Sequence, residues 1–338
     1  MKQHVILAYG RETEYQRAIF AVLSFWAWYD GPKADVRTLV FTDQPAAFQP
    51  YFDGLPVAYE LLTPDRLTEW RGPGQYVHRV KLACLAHTLH QHPNDDLLFC
   101  DSDTFFVAEA DQLLQRLRPG TSLMHQREYR LEEAVDIYAA FHQAKYPRKL
   151  LELISERTFR VGTQKVRFRK AHYSWNSGVL GLGAALGSAI SDIMALNDEI
   201  YAHTHWFTSE QIAFSLALPV LSRVIPAEQY VLHYWGQQQK HLMDSLLRGL
   251  LTAPFGHLPL PERLAQVRPL TLKWQRKVEI SKDREGALYA LGQGELVAGL
   301  KCTLKALIAS PFSPSFWREL WQILGQRSRG RVSHRLFL

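Results

Sequence analysis

LLFCDSDTFF, residues 97–106, is the stretch on which the reading of this chain turns. An apolar run from Leu97 to Cys100 ends on two carboxylates two positions apart, Asp101 and Asp103, and apolar residues resume at Phe105. Such a run reads as a buried central strand. Two anions set directly after it repel each other, and burying them without a partner costs several kcal/mol. A divalent cation is the usual partner for such a pair. The C-terminal end of a sheet strand is also where open α/β sheets bind their ligands. The competing reading is a pair of solvated turn carboxylates, with Ser102 and Asp103 capping a helix. Thr104, Phe105, Phe106 and Val107 are strand formers, so the chain is expected to run on as strand and not to turn. That favours a metal site.

Towards the N-terminus, a helix over Tyr76–His90 precedes this strand. Before it, Val5–Tyr9 reads as a strand followed by Gly10 and a helix whose buried face is Ala18/Ile19, Val22, Phe25/Trp26 and Tyr29. Gly31-Pro32 stops that helix. Val36–Thr42 and the region around Val57–Leu62 read as two more strands. Strands alternating with helices imply an α/β fold with a mostly parallel sheet covered by helices on its faces.

Towards the C-terminus the pattern gives a helix near Asp111–Leu117, a strand Ser122–Gln126 and a helix Leu131–Ala144. Arg157 to Lys170 carries six basic residues and no acid, and the alternation of Lys165 to Arg169 would make one strand face cationic. Ser174 to Gly181 returns to strand character. A helix marked by Ile190, Ile193/Met194 and Ile200 follows, then a short helix from Glu210, a strand near Leu221–Ile225 and the stretch Tyr230 to Gly236. Beyond residue 245 the strand signal gives way to helices joined by Pro254, Pro259, Pro261 and Pro269. The expected division is a catalytic-type α/β domain over 1–245 and a helical extension with a basic tail over 246–338.

A chain of 338 residues, 47% hydrophobic, has ample material for a core. No apolar stretch reaches the roughly 20 residues needed to span a bilayer. Met1-Lys2-Gln3 runs straight into the first strand without a cleavable signal. Cys84, Cys100 and Cys302 are far apart in apolar contexts, as buried thiols of a reducing compartment would be. A cytoplasmic location is expected. From Lys301 onward seven basic residues face one acid, which accounts for the whole net charge of +6. With the excess confined to the tail, the body lacks the basic surface of a nucleic-acid-binding protein.

Five short motifs recur here in the order and rough spacing seen in glycosyltransferases of the GT-A fold. They are LAYGRETEY (7–15), HRVKLACL (78–85), DSD (101–103), WNSGVLGL (175–182) with Glu210-Gln211, and His233-x-x-Gly236 followed by Lys240. The chain resembles glycosyltransferase family 8 most closely, over residues 4 to 241. It departs by one extra residue before Lys240 and by Glu in place of the family's usual Asp at 210. The resemblance implies a GT-A (Rossmann-like) sheet and transfer of a hexose from a nucleotide diphosphate sugar, a UDP-sugar, with retention. It implies Asp101, Asp103 and His233 as ligands of Mn²⁺ or Mg²⁺, with Asp101 also reaching the ribose. Carboxylate oxygens suit either ion, and one imidazole tilts the choice to Mn²⁺. Ala8, Tyr9, Tyr15 and Ser102 are expected beside the nucleotide, and Arg79 in preference to Lys81 beside phosphate or sugar. Gly236 and Lys240 are expected at the diphosphate. Asn176 and Ser177 would bond sugar hydroxyls, with Gly178 leaving room for the sugar ring. Gln211 would sit on the sugar's far face, and Glu210 beside sugar or acceptor.

Two other readings compete. D-S-D-T-F resembles the nucleophile motif of haloacid dehalogenase-type phosphatases, with Asp101 as nucleophile; Phe105 departs from that motif. A non-catalytic nucleotide-sugar-binding relative is the other. In the tail, Phe316/Trp317, Leu320/Trp321 and Ile323/Leu324 repeat at helical spacing, with Arg327, Arg329 and Arg331 behind them. Such a helix suits an anionic membrane interface, at which a lipid-linked saccharide acceptor would be met. The alternative is a helix packed on its own domain.

Overall fold

In the computed structural model the described residues are 1–293, 295–309 and 314–328. Among them thirteen strands run along the chain: β1 (Lys2–Leu7), β2 (Val36–Thr42), β3 (Val57–Leu61), β4 (Asp96–Asp101), β5 (Thr104–Phe106), β6 (Thr121–Met124), β7 (Arg127–Arg130), β8 (Phe159–Val161), β9 (Gln164–Val166), β10 (Tyr173–Trp175), β11 (Val179–Leu182), β12 (Arg223–Pro226) and β13 (Val231–His233). Seven of them form the central sheet, in the order β12-β6-β11-β4-β1-β2-β3. Four of its six pairings are parallel, and the two antiparallel ones both involve β11. β4 therefore lies mid-sheet between β1 and β11, and Leu97, Leu98, Phe99 and Cys100 are wholly buried. A strand covered on both faces has no use for alternation, which is why its sequence is a continuous apolar run.

Helices cover the sheet as its two apolar faces require. Helix Glu12–Ala27 opens with Glu12 and Glu14, well placed against the helix dipole, and buries Ile19, Phe20, Val22, Leu23 and Phe25. Helix Arg79–Gln91 begins three residues later than expected and buries Val80, Leu82, Leu85 and Leu89 beside Leu97 and Phe99. Helices Ile190–Thr204 and Ser209–Leu221 complete this layer, the second longer than its sequence suggested. The helix expected over 131–144 is instead two, Ala134–Ala139 and Lys145–Glu156.

The acidic stretch departs from expectation in one respect. The chain turns at Ser102-Asp103, and Thr104–Phe106 leaves the central sheet to pair antiparallel with β13, Thr104 opposite His233. Ser24 Oγ accepts the Phe106 N–H at 2.9 Å and anchors this small ribbon to the first helix.

The chain divides into two compact units, one of residues 1–233 and 250–268, the other of 234–249 and 269–338. One cut near residue 245 was expected, whereas the chain crosses between units three times, the last at Pro269 within the helix Leu260–Gln293. The first unit holds all thirteen strands. The second is helical and has its own small core of Ala287, Leu288, Leu291, Ala306, Phe316 and Leu320.

Candidate metal and sugar-nucleotide site

Three backbone features deliver the site. β4 ends on Asp101, the turn carries Asp103, and the β5–β13 pairing brings in His233 from 130 residues away. One ligand atom from each of Asp101, Asp103 and His233 lies within 4.8 Å of the other two. His233 Nε2 stands 3.2 Å from Asp103 Oδ1. With metal–ligand bonds of about 2.1 Å, adjacent ligands of an octahedral ion lie roughly 3 Å apart, so the His233–Asp103 spacing suits two neighbouring ligands of one ion.

The chemistry of the imidazole supports the fit. Asn176 Oδ1 accepts the Gly178 N–H at 2.9 Å and lies 2.8 Å from His233 Nδ1. A carbonyl oxygen has no proton to give, so Nδ1 carries a proton, and in the neutral imidazole that leaves the lone pair on Nε2. Nε2 and Asp103 Oδ1 are then two acceptors facing each other, an arrangement a cation relieves. A ligating histidine whose other nitrogen donates to a fixed oxygen is the usual construction of a metal site.

Gly178 has a different task from the one expected of it. A Cβ built there would lie 2.3 Å from His233 Nδ1 and 2.4 Å from Cε1. The room left by the missing side chain is taken by the imidazole, not by a sugar ring. Gly178 also accepts the Asp101 N–H at 2.8 Å through its carbonyl, tying β11 to the end of β4.

The cation nearest the acidic pair is Lys81, whereas Arg79 was the one expected beside phosphate or sugar. Residues two apart on a helix face opposite sides. Arg79 points towards helix Ile190–Thr204, where it forms a bidentate pair with Asp198 at 2.7 and 2.9 Å and bonds Trp70 O. Lys81, 5% exposed, reaches Asp101 Oδ2 at 3.3 Å, Glu210 Oε1 at 3.3 Å and Ser177 O at 2.6 Å. Burial alone would lower its pKa, but the two carboxylates more than reverse this and hold it raised. Burial raises the pKa of Glu210, against the opposing pull of Lys81. Ser177 Oγ donates to Glu210 Oε2 at 3.1 Å. Lys81, Asp101, Ser177 and Glu210 therefore form one network, buried except at Asp101.

Glu128, on β7, escaped the sequence reading. Its Oε1 accepts from Asn176 Nδ2 at 3.2 Å, and its Oε2 accepts from Gln211 Nε2 at 2.9 Å and Ser174 Oγ at 3.3 Å. Alone among the polar residues of an Arg-Glu-Tyr-Arg strand, it carries no spacing or motif that singles it out. His125 escaped as well; its ring packs edge-on to that of His233, centroids 5.5 Å apart, and bonds Val231 O.

The residues expected at the nucleotide cluster at the end of β1. Gly10 has φ +81°, a left-handed conformation that suits glycine, and its N–H points at Tyr15 Oη and the Asp43 carboxylate. Tyr15 donates to Asp43 at 2.7 Å, and burial with that bond pushes its pKa up to about 12. Ala8 is buried. Burial raises the Tyr9 pKa, against a hydrogen bond to Arg71 that lowers it. Ser102 donates its hydroxyl to Glu14 at 2.7 Å, a contact the sequence did not suggest.

Gly236 and Lys240 belong to the second unit, at the start of helix Gln237–Leu250. A Cβ on Gly236 would meet Gln239 at 2.5 Å and Glu285 at 2.6 Å, so its space is already filled. The strand expected to run to Arg169 ends at Val166 in the hairpin β8–β9; Lys165 on it, and Arg167 and Arg169 beyond it on either side of buried Phe168, are exposed. Arg157 and Arg160 are paired with Glu199 and Asp192.

No protein-family model and no curated protein matches the chain. Among solved structures, it is similar to a galactosyltransferase LgtC in complex with donor and acceptor sugar analogues, at 14% identity and a TM-score of 0.48, over 74% of this chain and 96% of that one. It is also similar to mouse xyloside xylosyltransferase 1 in its apo form, at 12% and 0.43, over 73% and 92%. A third is the apo structure of the bifunctional glycosyltransferase WbbM, at 13% and 0.44, over 67% of this chain but only 39% of that protein. Likeness of this degree leaves the chain's function to be argued from its own residues.

Proposed function

We propose that the chain is a metal-dependent glycosyltransferase that moves a hexose from a nucleotide diphosphate sugar, a UDP-sugar, to a saccharide or lipid-linked acceptor with retention. The observation that carries this reading is the convergence of Asp101, Asp103 and His233 Nε2. Mn²⁺ or Mg²⁺ held by these three would supply Lewis-acid neutralisation of the diphosphate as it leaves. Lys81 holds Asp101 in place and keeps a fixed positive charge at the site. In this reading the Gln211 amide oxygen faces developing positive charge on the sugar. Glu210 is engaged by Lys81 and Ser177, which weighs against its serving as the free base that inversion would need. Ala8, Tyr9, Tyr15 and Ser102 would flank the nucleotide. Gly236 and Lys240 enter through the family resemblance alone.

The test is a thermal-shift and calorimetric screen of nucleotide sugars with and without Mn²⁺. Stabilisation by one UDP-sugar only when Mn²⁺ is present is expected, about 2.7 kcal/mol at a hundredfold excess over Kd. Phosphate release from simple phosphoesters through an acylphosphate on Asp101 would point to the phosphatase reading instead. Binding of a donor without turnover would mark a non-catalytic relative.

The proposal extends to peripheral attachment at the inner, cytoplasmic face of an anionic membrane. Among the described residues no helix is long and apolar enough to cross a bilayer. The tail helix Pro314–Ser328 does not present the face expected of it: Phe316 and Leu320 are buried in the second unit's core, whereas Trp317 and Trp321 are exposed. The Ile323, Leu324 and Arg327 side chains and residues 329–338 lie outside what is described. A stronger stripe lies on helix Leu296–Ala309, where Leu296, Leu300, Leu304 and Ile308 repeat every four residues, all at least half exposed, with exposed Lys301 and Lys305 beside them. That pattern suits an anionic interface. Full-length protein is expected to bind vesicles rich in phosphatidylglycerol and the L300E/L304E variant to remain in solution. Equal partitioning of the two would refute attachment through this helix.

A further inference from the structure

We propose that Glu128 is a positioning residue that decides which atoms two neighbouring amides present, and through them sets the lone pair of His233 Nε2 and the carbonyl oxygen of Gln211. An ionised carboxylate only accepts hydrogen bonds. Asn176 and Gln211 must therefore both turn their NH₂ groups to Glu128, at 3.2 and 2.9 Å. Ser174 Oγ donates to the same Oε2 and accepts a second hydrogen from Gln211 Nε2 at 3.0 Å, which locks that amide further. Gln211 is left with Oε1 as its remaining polar atom.

The same constraint propagates through Asn176. With Nδ2 committed to Glu128, Oδ1 faces Gly178 N–H and His233 Nδ1. His233 must then donate from Nδ1, which in the neutral ring leaves Nε2 bare towards Asp103. One carboxylate thus fixes an amide and an imidazole that act on different parts of the site. The Gln211 part rests on the proposed transferase reading; the His233 part does not.

Replacement by glutamine separates the two arms. The Glu128→Gln side chain is isosteric and can still offer Oε1 to Asn176, so the His233 tautomer survives. Its NH₂ then faces Gln211 and Ser174. Both can answer by reversing: the Gln211 amide flips to accept, and the Ser174 hydroxyl turns. The site would then present an NH₂ where it had presented an oxygen.

The experiment uses the full-length, metal-free protein, labelled with ¹⁵N, as wild type, Glu128→Gln and Glu128→Ala. Histidine ¹⁵N shifts read the His233 tautomer, electron paramagnetic resonance titration reads Mn²⁺ alone, and turnover is measured where a donor is known. Wild type is expected with a protonated Nδ1 on His233. Glu128→Gln is expected to keep that tautomer, a Mn²⁺ Kd and donor KM within threefold and an unchanged Tm, while kcat falls at least tenfold. Glu128→Ala is expected to give a mixture of tautomers and to weaken Mn²⁺ about tenfold or more. A wild-type His233 protonated on Nε2, a Glu128→Ala variant with wild-type Mn²⁺ affinity, or a Glu128→Gln variant with wild-type kcat would each overturn the proposal. Absence of any sugar transfer by wild type would sink the transferase reading, while the tautomer and Mn²⁺ results would still decide the role of Glu128.

Discussion

Replacing Gly178 with alanine tests the proposed metal site without touching a proposed ligand. The new methyl would lie 2.3 Å from His233 Nδ1, where ordinary contact begins at 3.4 Å, so the ring must retreat by about 1.1 Å. The residue has no positive φ, so alanine meets no backbone penalty and the whole effect comes from this overlap. A shift of that size breaks the 2.8 Å bond from Nδ1 to Asn176. It also exceeds by about fivefold the roughly 0.2 Å tolerance of a metal–ligand distance. Displacing a ligand this far is expected to weaken Mn²⁺ binding by at least a hundredfold, the upper end of what loss of an orienting contact does. Mn²⁺ titration followed by electron paramagnetic resonance is the assay. Gly183→Ala is the control, because its Cβ would meet only Asp96 at an ordinary 3.6 Å. If Gly178→Ala binds Mn²⁺ within threefold of wild type, His233 is not a ligand and the site as described is wrong.

Under the proposed reading, Asp103→Asn and Asp101→Asn should each lower turnover by about a hundredfold or more, since charge that would hold the ion is lost; steady-state rates with a saturating donor check this. Lys81→Met should destabilise the fold by roughly 3–5 kcal/mol, because Asp101 and Glu210 would then face each other across the space Lys81 occupied, and urea denaturation reads it. His4 is buried, and burial lowers its pKa to about 3 from an ordinary 6.5. The unfolded chain therefore binds the extra proton first as pH falls. The contribution of a neutral His4 is complete above pH 6.5 and declines towards pH 3, by roughly 3 kcal/mol at pH 4. A His4→Phe variant should lose that part of the slope between pH 6.5 and 4 in denaturation curves.

Much of this was legible in the chain itself. β2 coincides with its expected bounds, and the run Leu97 to Cys100 is the central strand because continuous apolarity and two-sided burial are one statement. The acids after it stand at the C-terminal end of that strand, where Asp101, Asp103 and His233 converge. Other features resisted for physical reasons. Ser102-Asp103 turns although strand formers follow, because those residues satisfy their pairing with β13 and not with the central sheet. Spacing could place Arg79 and Lys81 on opposite helix sides but not say which side met β4. Asn176-Ser177-Gly178 reads as turn or strand from composition; only the approach of His233 explains the glycine. Glu128 is invisible to any local pattern, since its meaning lies in three partners 46, 48 and 83 residues away.

The ribbon between β5 and β13 has a bearing on how the molecule is made. Synthesis delivers Asp101 and Asp103 long before the imidazole that completes their set, and by then the other strands have all emerged. A growing chain therefore carries a closely spaced pair of anions through most of its assembly, with Lys81 as the countercharge it has already made. If the three residues hold an ion as proposed, its capture would come last and would fasten the final strand to a body already built. Chelation during refolding should accordingly spare the early collapse and delay only the docking of residues 231–233.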